Sequence, residues 1–435
     1  MARARTRPAP EGPARTRGGP VLERVRRLAR RFWVLPLVCT ASAALLGLAL
    51  ARLDRSLDTS LTLPFLFAGG PEGARAVLSA VISSMISFTG LVFSITVVVL
   101  QLTSSQFSPR VLRSFLDDRS NQLALGVFVA TFTYALVVLR SVRGTAQVDP
   151  FVPQLAVTTA FAFVLASVLV FLGYIHHIAQ SIRAATIVER IGDETRALLE
   201  RVHPADADPA AGLPLPPWPG RTVAAAAPGV VQEVDDAGLA RLAGGCGATV
   251  VLRRAVGEFV PAGAPLLDVH GADEDALPAA RLRAGVLLGK ERSLQQDVGF
   301  GLRQLVDIAE RALSPGVNDP TTAVQVVDQL HDLLRRLVSR HLRPRQRCTR
   351  DGALAVHVPG PALADHLALA TEEIAHWGSD SPRVLRRLDV MLADLREAAL
   401  PEHRDAVDAA VAARRSAAQD APAPGPGDPS DTWLR

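Results

Sequence analysis

Lysine occurs once in these 435 residues, at Lys290, so arginine carries nearly all the positive charge. Aromatic residues are also scarce, at 5% against 49% hydrophobic residues, while mean hydropathy is positive at +0.21. That balance suits a membrane protein built from Ala, Val and Leu. Of three cysteines, Cys39 lies in an apolar run and Cys246 and Cys348 stand far apart. Without a C-x-x-C spacing, neither a zinc knuckle nor a disulfide framework is expected. Charge is missing from the centres of four long apolar runs. A proton relay or a voltage sensor needs an ionisable group there, so this absence argues against both. No P-loop, H-E-x-x-H helix or nucleophile motif occurs. Gly299-Phe300-Gly301 lacks the third glycine and the preceding strand of a dinucleotide fingerprint. No catalytic, cofactor-binding or metal-binding residues are assigned, and enzymatic activity is not expected.

What is present begins with a basic arm. Residues 1–31 carry ten Arg against Glu11 and Glu23 and are expected to be disordered, becoming helical near Val21–Arg31. Positive charge ahead of a first apolar span holds that end in the cytoplasm. The spans are Phe32–Leu50, Ala76–Leu102, Leu123–Leu139 and Phe151–Ile175, within a membrane region of residues 32–175. Ala49-Leu50-Ala51 has a cleavage-like pattern, but the run is long and more spans follow, so an uncleaved anchor is expected. Leu61–Ala68 is apolar enough to reach into the interface. Gln106–Gln122, broken at Pro109, adds Arg110, Arg113 and Arg119 to the inner side. Four spans return the chain to the cytoplasm, which puts both termini there.

The second span, within Ala76–Gln106, is unusual. At about 100° per residue, Ser79, Ser83, Ser87, Gly90, Ser94, Gln101 and Ser105 fall within an arc of roughly 80°. Small residues four apart allow close helix packing, with hydroxyls bonding across the contact. The same stripe could line a wet path through the membrane. The two uses coincide if the helix packs around an oligomer axis.

After the spans, His176-His177 point about 100° apart on a helix, which suits one metal ion poorly. The helix is expected to continue through Ile182–Val202 as an amphipathic stalk, followed by the linker Pro204–Pro217, so that residues 176–217 form a connector. Residues 218–272 change period. Val230-Val231, Val250–Leu252 and Leu266–Val269 read as strands, with Gly257–Gly263 as a hairpin turn. This segment resembles the small barrel-sandwich module of biotinyl and lipoyl carriers. It has no Lys to hold such a cofactor, which leaves a compact β module. Residues 279–418 read as a helical domain with one strand at Gly352–Val358, and 419–435 as a disordered tail. Within the helical part, Arg303, Asp307 and Arg311 are four apart and suit a surface charge ladder. Asp319-Pro320 is a helix-start signal. Asp297, Arg303, Asp307, Asn318 and Asp319 are the residues to weigh as a ligand, cation or acid/base motif, against the plainer reading of capping and a charge ladder.

Two long runs carry a resemblance. VVVLQLTSSQFSPRVLRSFLDDRSNQ and QDVGFGLRQLVDIAERALSPGVNDPTTA are similar to a bacterial family of predicted membrane proteins grouped as domain of unknown function 2254. The resemblance spans roughly residues 30–400. It implies an inner-membrane protein with a cytoplasmic C-terminal region, and it carries over no site residues. The expected fold is four transmembrane helices followed by a cytoplasmic α+β region. The expected function is a passive ion or small-solute channel, formed by a homo-oligomer in the lipid bilayer. Its cytoplasmic region would sense a small ligand or assemble the ring. The alternative is a non-transporting scaffold or sensor acting through a cytoplasmic protein. No nucleic-acid partner is expected.

Overall fold

The computed structural model describes residues 33–56, 67–106, 119–145, 148–181, 183–205, 212–349 and 351–419. The basic arm, residues 61–66 of the first loop, the segment around Pro109 and the tail beyond residue 419 lie outside the described residues. The chain divides into two compact units, Met1–Leu102 with Leu112–Gln180, and Thr103–Val111 with Ser181–Arg435.

The first unit holds four helices long and apolar enough to cross a membrane: α1 (Val34–Ser56), α2 (Pro71–Gln106), α3 (Arg119–Leu139) and α4 (Gln154–Ser181). Each satisfies its backbone internally, as hydrocarbon requires. Glycine brings α1 and α3 together. A Cβ at Gly126 would stand 3.3 Å from Pro36 Cα and from Cys39 Sγ. Phe88, Phe128 and Phe171 cluster with ring centroids 5.0 to 6.4 Å apart, the first two stacked and Phe171 edge-on to both. Buried hydroxyls find partners: Tyr134 donates to the Ala156 carbonyl at 2.8 Å, and Thr131 and Ser167 lie 3.0 Å apart. Asp54 accepts from the backbone N–H groups of Leu155 and Ala156 at 3.2 and 3.0 Å, capping α4. Arg75 donates to the Gly144 carbonyl beside a hairpin of β1 (Arg143–Thr145) and β2 (Val148–Phe151). The residues on either side of the first loop are thus tied to α4 and to the hairpin before it.

The second unit opens with α5 (Ala184–Val202), and here the structure departs from the expected stalk. The preceding helix stops at Ser181, and Arg183 is extended, with ψ 126°. A new helix then starts and buries Ile187, Val188, Ile191, Leu198 and Leu199 in a helical core. The apolar stripe on α5 is wide enough to be packed on, which a solvated stalk does not need. The rest of that core comes from α8 (Val298–Leu313), α9 (Pro320–Val338), α10 (Leu363–Trp377), α11 (Pro382–Ala398) and α12 (Arg404–Gln419), through residues such as Leu302, Leu334, Leu367, Leu388 and Val407.

The β part has two sheets. The strands are β3 (Arg221–Ala224), β4 (Gly229–Val234), β5 (Thr249–Leu252), β6 (Phe259–Val260), β7 (Pro265–His270), β8 (Val286–Gly289), β9 (Arg345–Cys348) and β10 (Leu354–Val358). The larger sheet has order β3-β7-β5-β10-β9, and the smaller β6-β4-β8. β5 and β10 pair in parallel, Val250 opposite Val356. The strands expected in 218–272 form, and so does the one expected in Gly352–Val358, which is β10; β8 and β9 join them from stretches read as helical. The larger sheet is therefore completed only after the chain has passed through α8 and α9. The segment Asp236–Gly244 is a helix, α6, capped by Asp235 accepting from Gly238 N–H at 2.8 Å. A short helix, α7 (Ala279–Arg283), leads into β8.

Candidate functional sites: an outward polar stripe and a cationic cavity

On α2 the buried face is Ala74, Leu78, Val81, Met85, Val92 and Val99. Ser79, Ser83, Ser87, Gly90, Ser94 and Gln101 are all exposed. On a wheel the two faces lie about 180° apart, so the stripe points away from the other three helices. Nothing lies within 4 Å of a Cβ placed at Gly90. Contact with the described residues of the chain is therefore not what the small residues serve. Ser87 returns its hydroxyl to the Ser83 carbonyl at 3.1 Å. The side chain of Ser105 lies outside the described residues.

The acidic and basic residues of the QDVGFG run are not brought to one place. Asp297 caps α8, accepting from Phe300 N–H at 3.0 Å, and is held by Arg292 through two bonds of 2.8 and 2.9 Å. Asn318 and Asp319 lie beyond the other end of this 16-residue helix, about 24 Å along. Asn318 adopts φ 47° in the turn. Asp319 caps α9 through the N–H groups of Thr321 and Thr322, both at 3.1 Å. The Thr322 hydroxyl and those N–H groups hold its carboxyl below the usual range. Arg303 and Asp307 are no surface ladder: Asp307 is buried, and Arg303 reaches Asp307 at 2.5 Å, Glu373 at 2.5 Å and Glu310 at 3.1 Å. Burial and the neighbouring Glu373 carboxyl push Glu310 up to about 7.

Asp297 does border a cavity of about 40 Å³. His203 at the end of α5, Gln296, Gly299, Arg343, Arg345 and His366 also line it. Arg345 donates to the Gln296 side-chain oxygen at 2.8 Å and has no ion pair among the described residues. His366 is 4% exposed, and its ring makes no hydrogen bond among the described residues. Burial pushes both imidazoles down, His203 to about 4 with help from His366, Arg340 and Arg345, and His366 against the opposing pull of Asp297 and Asp365. Burial likewise lowers Arg345. These groups come from four separate segments, so no spacing in the sequence announced them. Among the described residues no group of three or more His, Cys, Asp or Glu could hold a metal ion.

The family described as "Predicted membrane protein (DUF2254)" matches residues 29–394. The chain belongs to this family. Uncharacterized proteins of Mycobacterium bovis and Mycobacterium tuberculosis are similar to it at 37% identity over 397 residues, covering 89% of this chain and 76% of each relative. No solved structure matches. The DUF2254 match includes all four membrane helices and most of the second unit, so both the outward stripe and the Asp297 cavity fall inside the family region.

Proposed function

We propose that this membrane protein is a homo-oligomer whose α2 stripes face a common polar path, forming a passive ion or small-solute channel. The orientation of the stripe carries the reading. Turned toward lipid, the stripe hydroxyls other than that of Ser87, and the Gln101 amide, would lack partners, which costs free energy in hydrocarbon. A second copy or a file of water supplies them, and Gly90 permits close approach. The uncharged spans fit a passive path better than a driven one. The ten Arg of residues 1–31 favour an orientation in the bacterial inner membrane with both termini, and hence the second unit, in the cytoplasm. There the second unit would regulate the path or organise the ring, without enzymatic chemistry.

The test is flux of ions and small solutes through purified protein in liposomes, with Gly90→Leu as the blocking variant. Flux abolished by Gly90→Leu supports the channel. Single cysteines at positions 79, 83, 87 and 94 should also react with a water-soluble thiol reagent. Uniform protection, together with no flux, would make the stripe a dry contact between copies. The protein would then be a scaffold or sensor acting through a cytoplasmic partner.

A further inference from the structure

We propose that the cavity walled by His203, Arg345, His366 and the amino end of α8 binds a phosphate group, either inorganic phosphate or the head of a soluble phosphomonoester. This inference goes beyond the channel reading and does not depend on it. Arg345 supplies the first argument. Its guanidinium is partly buried, yet its one hydrogen bond among the described residues goes to a neutral amide. Asp236 and Glu233 act on it only from beyond ion-pair distance, so much of the cost of taking this cation from water stands, and a bidentate oxyanion repays it. His366 supplies the second. It is 4% exposed, lines the cavity and has no hydrogen-bond partner among the described residues. Buried polar side chains are normally satisfied, so one left open on a cavity points to a ligand atom there.

The surroundings fit an anion. Asp297, the cavity's carboxylate, is already held by Arg292 and by Phe300 N–H. The first turn of α8 still presents the N–H groups of Val298 and Gly299, which helix geometry leaves without intrahelical acceptors. A side chain at Gly299 would crowd His366, with Cβ 3.2 Å from its Cε1. Glycine therefore keeps that approach open. A volume of about 40 Å³ holds a few waters or one small group, not a nucleoside. A phosphate offers more acceptor oxygens than a carboxylate to this set of donors.

The experiment is calorimetric titration of the full-length protein in lipid nanodiscs with inorganic phosphate, glycerol 3-phosphate and acetate. Saturable binding of either phosphate compound is expected, with acetate far weaker. Arg345→Gln should weaken it at least about tenfold, as loss of a charge-assisted fork does. His366→Phe, which keeps the bulk of the ring, should weaken it too, and serves alone if the arginine variant does not fold. Binding of inorganic phosphate without the ester identifies free phosphate as the ligand, and binding of the ester identifies a phosphomonoester. No saturable binding, acetate binding as tightly as phosphate, or wild-type affinity in either folded variant would overturn the proposal.

Discussion

Arg303 faces three carboxylates, Asp307, Glu310 and Glu373, and one cation cannot balance them all. Glu310 takes the strain, raised from its ordinary 4.5 to about 7 by burial and by Glu373. An acid whose folded pKa is raised stabilises the fold below its unfolded pKa. That contribution is lost as pH rises, here between about 4.5 and about 7. Glu310→Gln keeps the hydrogen-bonding shape without the charge. Thermal unfolding should find it more stable than wild type at pH 8, by about 1 kcal/mol after solvent screening, and level with wild type near pH 5. Asp319→Ala should cost about 1 kcal/mol through the lost cap of α9, read by denaturant unfolding. Asp319 was legible in the sequence because capping is a local matter of Asp before Pro. Glu373 was not, since it meets Arg303 only through the packing of α10 on α8.

Among elements, the glycines of the QDVGFG run find their reason in packing. A Cβ at Gly301 would lie 2.1 Å from Thr195 Oγ1 on α5, and Thr195 is fully buried. Thr195 cannot retreat easily, because its hydroxyl is bonded to the Ile191 carbonyl at 2.7 Å. Gly301→Ala should therefore force α5 and α8 apart and cost about 1–3 kcal/mol, measured as a lowered unfolding midpoint. The sequence made α5 visible as amphipathic but not as a core helix, because its partner surface lies more than a hundred residues further on. The stripe on α2 is the converse case. Its periodicity was plain in the sequence, whereas the direction it faces depends on which side the other three helices take. That direction changes the reading, since a stripe turned away from its own bundle needs another occupant.

At the scale of the whole second unit, sheet and helices meet through two runs that the sequence keeps 40 residues apart. Gly257 opens the turn before β6, and Asp297 caps α8. A Cβ at Gly257 would lie 2.3 Å from Asp297 Oδ2, and Gly257 has φ +94°. Both runs were conspicuous as sequence, and nothing in either predicted their contact, which is made only in the folded unit. Gly263 separates the two effects, because it has φ +77° and nothing within 4 Å of its Cβ position. Gly263→Ala should cost only the left-handed backbone strain, about 1 kcal/mol. Gly257→Ala adds displacement of a carboxylate buried against Arg292 and should cost about 2 kcal/mol or more beyond that. Unfolding of both variants in the same nanodiscs gives the comparison. Equal losses would mean that Asp297 yields freely and that the sheet and helical parts are held by their separate cores. A larger loss at Gly257 would make the Arg292–Asp297 pair the joint between them, and the cavity beside it would then sense any movement of one part against the other.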